Sequence, residues 1–154
     1  MTPTLRGRWQ TRVFLFGVIG LPVTFVIALL TLPLTLGLGF IVLPLVLVFL
    51  LFVGLVLDLV YDRIQQGRWD HDWPVHLQIW AGLGELILVG FLLIPLWVLT
   101  AGVGLLIYPF HYAAVWIPSF LVLQGPLQIL LPRWRFEGGE IWPRTPRKPP
   151  TSPP

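Results

Sequence analysis

The chain contains no cysteine, and only two of its 154 residues are serine, Ser119 and Ser152. Disulfides, thiolate nucleophiles and cysteine metal sites are therefore excluded. Ser119 follows a proline in an apolar stretch and Ser152 lies in a proline-rich tail, and neither has a base at a persuasive spacing. Charge is scarce too. Asp, Glu, Lys and Arg make up 11% of the residues, where a soluble domain carries about a quarter. So few ionic groups cannot cover the surface of a water-soluble fold. Hydrophobic residues reach 56% and the mean hydropathy is +0.83. This composition calls for lipid.

The longest run without any charge, Val13–Leu57, spans 45 residues. As one helix it would extend roughly 68 Å, more than twice the hydrocarbon core of about 30 Å, so the chain must turn back inside it. A second uncharged run covers 86–132 and is fed by apolar sequence from Val75. The economical fold class is all-α: a polytopic membrane protein with four transmembrane, or partly re-entrant, helices in two hairpins. The expected organisation is a basic N-terminus (1–12), a first hairpin (13–60), a connection (61–74), a second hairpin (75–131), then an interfacial segment and Pro-rich disordered tail (132–154). The first apolar run is far longer than a signal-peptide core, so 13–32 is read as a retained helix.

Local signals place the helix ends. Pro22 predicts a kink, and Pro33 with Gly37 a stop. Pro44 predicts the start of the second helix, which continues through "LVYDRIQQ" to Gly67. Asp72 is the expected N-cap of a third helix over about 75–99, with Pro74 in its first turn. A fourth helix is expected over about 105–124.

One spacing occurs twice. Thr35-x-Gly37-x-Gly39 with Pro44 is repeated 65 residues later as Thr100-x-Gly102-x-Gly104 with Pro109. A phosphate loop needs a lysine, a preceding strand and a helix N-terminus; both copies lack the lysine and are embedded in leucine. The pattern reads as two reversal points, either the trace of an internal duplication or the ordinary composition of membrane turns. Both turns are apolar throughout, so their backbone must be buried by protein or dip into the bilayer.

Three places could carry chemistry. Glu85 lies about 15 Å into the third helix, and an ionisable group at that depth is a functional candidate. The bland alternative is a carboxyl hydrogen-bonded to Gln78, a backbone carbonyl or another subunit. "DHDWPVH" offers Asp70, His71, Asp72 and His76, with Asp58 and Asp62 nearby, as a surface for a partner or a divalent metal. The spacing is loose, so a solvated helix start is the stronger expectation and no metal or cofactor is assigned. His111 is expected at the outer interface with Tyr108 and Tyr112.

All ten Lys and Arg residues fall in the N-terminus, the central connection and the C-terminal tail. With four crossings these share one side, and the positive-inside rule puts both termini in the cytoplasm of a bacterial inner membrane or an equivalent internal membrane. Trp9, Trp69, Trp73, Trp134 and Trp142 belong to the same side as an interfacial belt. Anionic lipid explains the net charge of +3 without nucleic acid. The expected function is a non-enzymatic scaffold or assembly subunit that meets a protein partner, or a second copy of itself, through this face. The alternatives are a small oligomeric transporter or channel with Glu85 in its path, or a bilayer-shaping protein with re-entrant hairpins.

Overall fold

A computed structural model describes residues 3–99 and 103–142. Among them are helices and turns and no strand. Helix α1 (Leu5–Leu15) passes through a π-turn (Phe16–Gly20) into α2 (Leu21–Leu30), and a short α3 (Leu32–Thr35) leads to the long α4 (Gly39–Gln66). After the connection come α5 (Val75–Leu92), α6 (Ile94–Leu99) and α7 (Val103–Gln124), then α8 (Pro126–Leu130) and α9 (Pro132–Phe136). Four helices, Leu5–Leu30, Gly39–Gln66, Val75–Leu92 and Gly104–Gln124, are long and apolar enough to cross a membrane. The protein has an all-α, polytopic membrane fold. Its outer face fits that solvent: Leu30 is 68% exposed, Ile87 72% and Leu106 81%, side chains that lipid covers and water would not.

The first crossing starts eight residues before the expected boundary, because Thr4 caps it by accepting from the Gly7 N–H at 3.1 Å. Arg6, Arg8 and Arg12 are thus helical and do not form a separate basic tail. The kink expected at Pro22 takes the form of the π-turn, in which the Leu21 N–H reaches back to the Phe16 carbonyl. Pro22 has no N–H to give to the preceding turn, and in a regular helix its ring would collide with the carbonyl four residues back. The chain widens one turn to avoid this. The widening changes which residues face inward. Buried positions run Thr11, Leu15, Gly20, Thr24, Ala28, with the single five-residue step across the π-turn. On an unbroken α-helix Arg12 and Thr24 would be about 120° apart; accommodating one extra residue brings them within about 20°.

The first reversal explains its own sequence. Thr31 Oγ1 donates to the Ile27 carbonyl at 2.8 Å and Thr35 Oγ1 to the Thr31 carbonyl at 3.0 Å, so the polar groups of the turn are satisfied within the chain. Leu36 and Gly37 are left-handed, with φ of 48° and 88°, a conformation glycine adopts without strain. A Cβ on Gly39 would lie 3.1 Å from Thr35 Oγ1, so the second glycine lets the helices close over both threonines. Helix α4 then begins at Gly39, and Pro44 sits inside it. Pro109 is likewise inside α7. Pro44 is therefore not the helix start expected of it, whereas Pro109 lies inside the fourth helix as the 105–124 range implies; the carbonyls that both free are tolerated where neighbouring helices enclose them. Pro95 does break its helix, dividing the expected 75–99 segment into α5 and α6. Thr100 and Gly102 lie outside the described residues.

The uncharged part of α4, residues 39–57, is about 28 Å long, close to the hydrocarbon thickness of about 30 Å, so a full crossing brings its first turn to the far boundary. Leu38, 59% exposed, is the position to label, since Gly37 has positive φ. A Leu38→Cys protein should react with an impermeant maleimide added from the side opposite the basic segments. Protection from both sides would show a dipping hairpin.

Inside the bundle, Val46, Leu50, Val89, Tyr108 and Tyr112 form one apolar core and Ile27, Ala28 and Leu43 a second. The chain end is docked: the Thr4 N–H donates to the Gly138 carbonyl at 2.7 Å, Thr11 Oγ1 donates to the Gly139 carbonyl at 3.0 Å, and the Ile141 and Trp142 N–H groups both donate to Gln10 Oε1. The segment expected at the interface therefore clasps α1 through residues 138–142.

Candidate functional site

Arg12 organises the basic end of the bundle. Its Nε and Nη2 donate to Asp58 Oδ2 and Oδ1, both at 2.9 Å. Its Nη1 and Nη2 donate to Glu85 Oε2 and Oε1 at 3.0 and 2.8 Å. One guanidinium thus forms two forked pairs, using four of its five N–H groups. The carboxylates come from α4 and α5, so this cluster ties three of the four crossings together. Asp58 and Glu85 are buried and the Arg12 side chain is 17% exposed. Gly54, one turn before Asp58, makes the space: a Cβ there would lie 2.7 Å from Arg12 Cζ.

Glu85 was singled out from the sequence, but with the wrong partner. Gln78 is bonded elsewhere, its Oε1 accepting from Gln124 Nε2 at 2.8 Å. Asp58, considered as a metal or partner ligand, is committed to Arg12. The missed residue is Arg12 itself, hidden because it stands just outside the uncharged run. The available signal was electrical: two carboxylates at span depth require a cation, and Arg12 is the nearest one to a span.

Arg8 lies one turn before Arg12. Its Nη2 donates to Gln65 Oε1, its guanidinium carbon stands 4.3 Å from the Trp73 ring centroid, and its buried Nε has no partner. Trp73 packs on Tyr61 at a centroid distance of 5.6 Å. On the other wall Gly82 leaves room for the Trp116 indole, since a Cβ would come 2.6 Å from its Cζ2, and Trp116 stacks on Phe120 at 5.0 Å.

These groups surround a cleft of about 950 Å³, near the upper end of the range for small-molecule sites. One side is polar, with Arg8, Arg12, Asp58, Tyr61 and Glu85; the other is apolar, with Leu15, Phe16, Trp116, Phe120 and Leu123. Trp134 and Gly139 of the C-terminal clasp close part of it. Trp134 is 4% exposed and donates from Nε1 to Thr11 Oγ1 at 2.7 Å, so it is a buried strut rather than a belt residue. Trp69 and Trp142 remain exposed, at 92% and 60%.

The remaining candidates disperse. Asp62 accepts from Gln66 Nε2 at 2.6 Å. Asp70 pairs with Arg68 at 2.9 Å, and that guanidinium holds its carboxyl below the usual range. Asp72 does not cap α5: its Oδ1 accepts from the Trp73 N–H, and Pro74 occupies the cap position without a side-chain bond. His71 has φ of 50° and, like His76, points to the surface. Among the described residues no three His, Asp or Glu side chains converge as metal ligands. Gly104 and Pro109 lie in the first two turns of α7 and are not among the residues that line the cleft. His111, expected at the outer interface, is fully buried with Nε2 2.8 Å from Thr24 Oγ1. It lies in the third turn of α7, and the π-turn is what carries Thr24 to face it.

No known protein family matches the chain, and no curated protein or solved structure is significantly similar to it.

Proposed function

We propose that this is a non-enzymatic membrane protein that works by binding, through its basic face, as a scaffold or assembly subunit. The observation that carries this reading is the cleft itself, a large two-sided cavity whose polar wall, connection and C-terminal clasp all belong to the segments that hold the Lys and Arg residues. Exposed Trp69, Phe136 and Trp142 accompany it, and aromatic residues with arginine are the side chains that dominate contact surfaces. The buried carboxylates support a structural role over a reactive one. Asp58 and Glu85 each give both oxygens to Arg12, which leaves neither poised as a base. The same engagement weakens the reading of Glu85 as a transport path.

A photo-crosslinking residue at Trp69 or Phe136 should give one discrete partner adduct in native membranes, while one at lipid-facing Leu106 should give none. Adducts absent from both basic-face positions, with the protein present in the membrane, would sink the scaffold reading. An adduct of twice the chain mass would identify the partner as a second copy.

A further inference from the structure

Arg8 is a cation of the cleft with no ion-pair partner among the described residues, although Asp58 and Asp62 lie near enough to act on its charge. Arg12 has two carboxylates and Arg68 has Asp70, yet among the described residues no carboxylate lies within ion-pair distance of Arg8. Its one side-chain acceptor, Gln65, is neutral, and its Nε is buried without a partner. That Nε is enclosed by protein, so an anion would meet the rest of the guanidinium where Arg8 lines the cleft, and a charge-assisted bond there is about twice as strong as a neutral one. Trp73 holds the guanidinium plane from one face, which keeps it oriented. The cavity also has a second chemistry. Leu15, Phe16, Trp116 and Phe120 line it from the first crossing and α7, an apolar wall continuous with membrane-depth helices.

Resting on the binding reading above, we propose that the cleft holds one anionic amphiphile, with a carboxylate or phosphate head at Arg8 and an alkyl chain along the Phe16, Trp116 and Phe120 wall. Arg135 adds a second cation to the lining and has no carboxylate within ion-pair distance among the described residues. Opposing charges limit the head. Asp58 and Glu85 are committed to Arg12, but Asp70 and Asp72 also line the cleft, so a polyanionic head is disfavoured and a single acidic group fits. Two sources of this chemistry exist, a fatty acid and an acidic phospholipid.

Native mass spectrometry of the intact chain from detergent micelles tests the proposal. Oleate, a dioleoyl phosphatidate and, as control, a dioleoyl phosphatidylcholine are titrated separately. The expected result is a saturable one-to-one adduct with oleate, phosphatidate or both. Which of them binds identifies the source. Arg8→Gln should weaken that adduct about tenfold, and Arg8→Lys, which keeps charge but loses the guanidinium fork, should weaken it less. The phosphatidylcholine background should stay unchanged in both. Thermal unfolding of each variant separates loss of ligand from loss of fold, and Phe120→Ala, which leaves every charge in place, should weaken the adduct independently. Equal uptake of phosphatidylcholine and the two acids, or wild-type affinity in folded Arg8→Gln, would overturn the proposal. If crosslinking from Trp69 persists in that event, the scaffold reading survives and only the amphiphile is lost.

Discussion

Arg12→Leu is expected to lower the stability of the folded protein by about 3–5 kcal/mol, the usual cost of removing one partner from a buried ion cluster. The substitution leaves Asp58 and Glu85 facing each other in the bundle with four oxygens that had accepted from Arg12. Arg12→Lys should fall between the two. It restores the charge, but one ammonium cannot present the two forked edges that a guanidinium offers. The informative variant removes the whole cluster. With Arg12→Met, Asp58→Leu and Glu85→Met together, no charge remains to be desolvated, and apolar replacement of a buried cluster is often neutral or stabilising. Denaturant unfolding in micelles should therefore show the triple variant close to wild type and far above Arg12→Leu. A triple variant that loses the sum of the three single effects would mean the charges act separately. Gly54→Ala approaches the site from behind. Its Cβ would stand 2.7 Å from Arg12 Cζ, and only loss of one fork could make room, so its cost should shrink when Arg12 is already Leu.

That cluster marks the border between what a one-dimensional reading reaches and what it does not. Class and crossing number follow from run length and hydropathy, which need no partner information. The end of α4 at Gln66, with Gly67 as its cap, was equally legible because a C-terminal glycine signal is local. Arg12 was not, since its partners are 46 and 73 residues away along the chain. The start of α4 was misplaced as well. Pro44 carries a strong local signal for a first turn, yet it lies inside α4, which starts at Gly39. The register change at the π-turn is legible only in hindsight, as the five-residue step from Leu15 to Gly20 in an otherwise four-residue buried stripe. No sequence feature near His111 announces Thr24, because their meeting depends on that step. The turn "TLGLG" lay between these cases. Its reversal was evident, while the reason for its threonines, back-bonding to Ile27 and Thr31, required the helix to be drawn.

Gly7→Val should release the C-terminal clasp while leaving the four crossings folded. A Cβ at position 7 would lie 2.7 Å from the Gly139 carbonyl carbon and closer still to the Gly138 oxygen. Both are backbone atoms, so no rotamer change relieves the contact and the segment must move away. Moving it breaks the Thr4, Thr11 and Gln10 bonds to Gly138, Gly139, Ile141 and Trp142, each worth about 0.5–1.5 kcal/mol. Gly138 and Gly139, with φ of 63° and 82°, cannot readily rebuild the turn elsewhere on α1. Trypsin cleavage after Arg135 reports the release, because proteolysis follows the population of the locally open form. It should run about tenfold faster or more in Gly7→Val, if only one or two of these bonds govern opening. Gln10→Ala, which removes only the contacts of that side chain with Ile141 and Trp142, should show a smaller increase. Unchanged cleavage in Gly7→Val would place the clasp outside the stable fold. The core should register little of this, since Arg12, Asp58 and Glu85 touch none of the displaced residues by hydrogen bond. The cleft should register it strongly: Trp134 and Gly139 form part of its wall, so a released clasp exposes the apolar side to water and should weaken any bound amphiphile even with Arg8 intact.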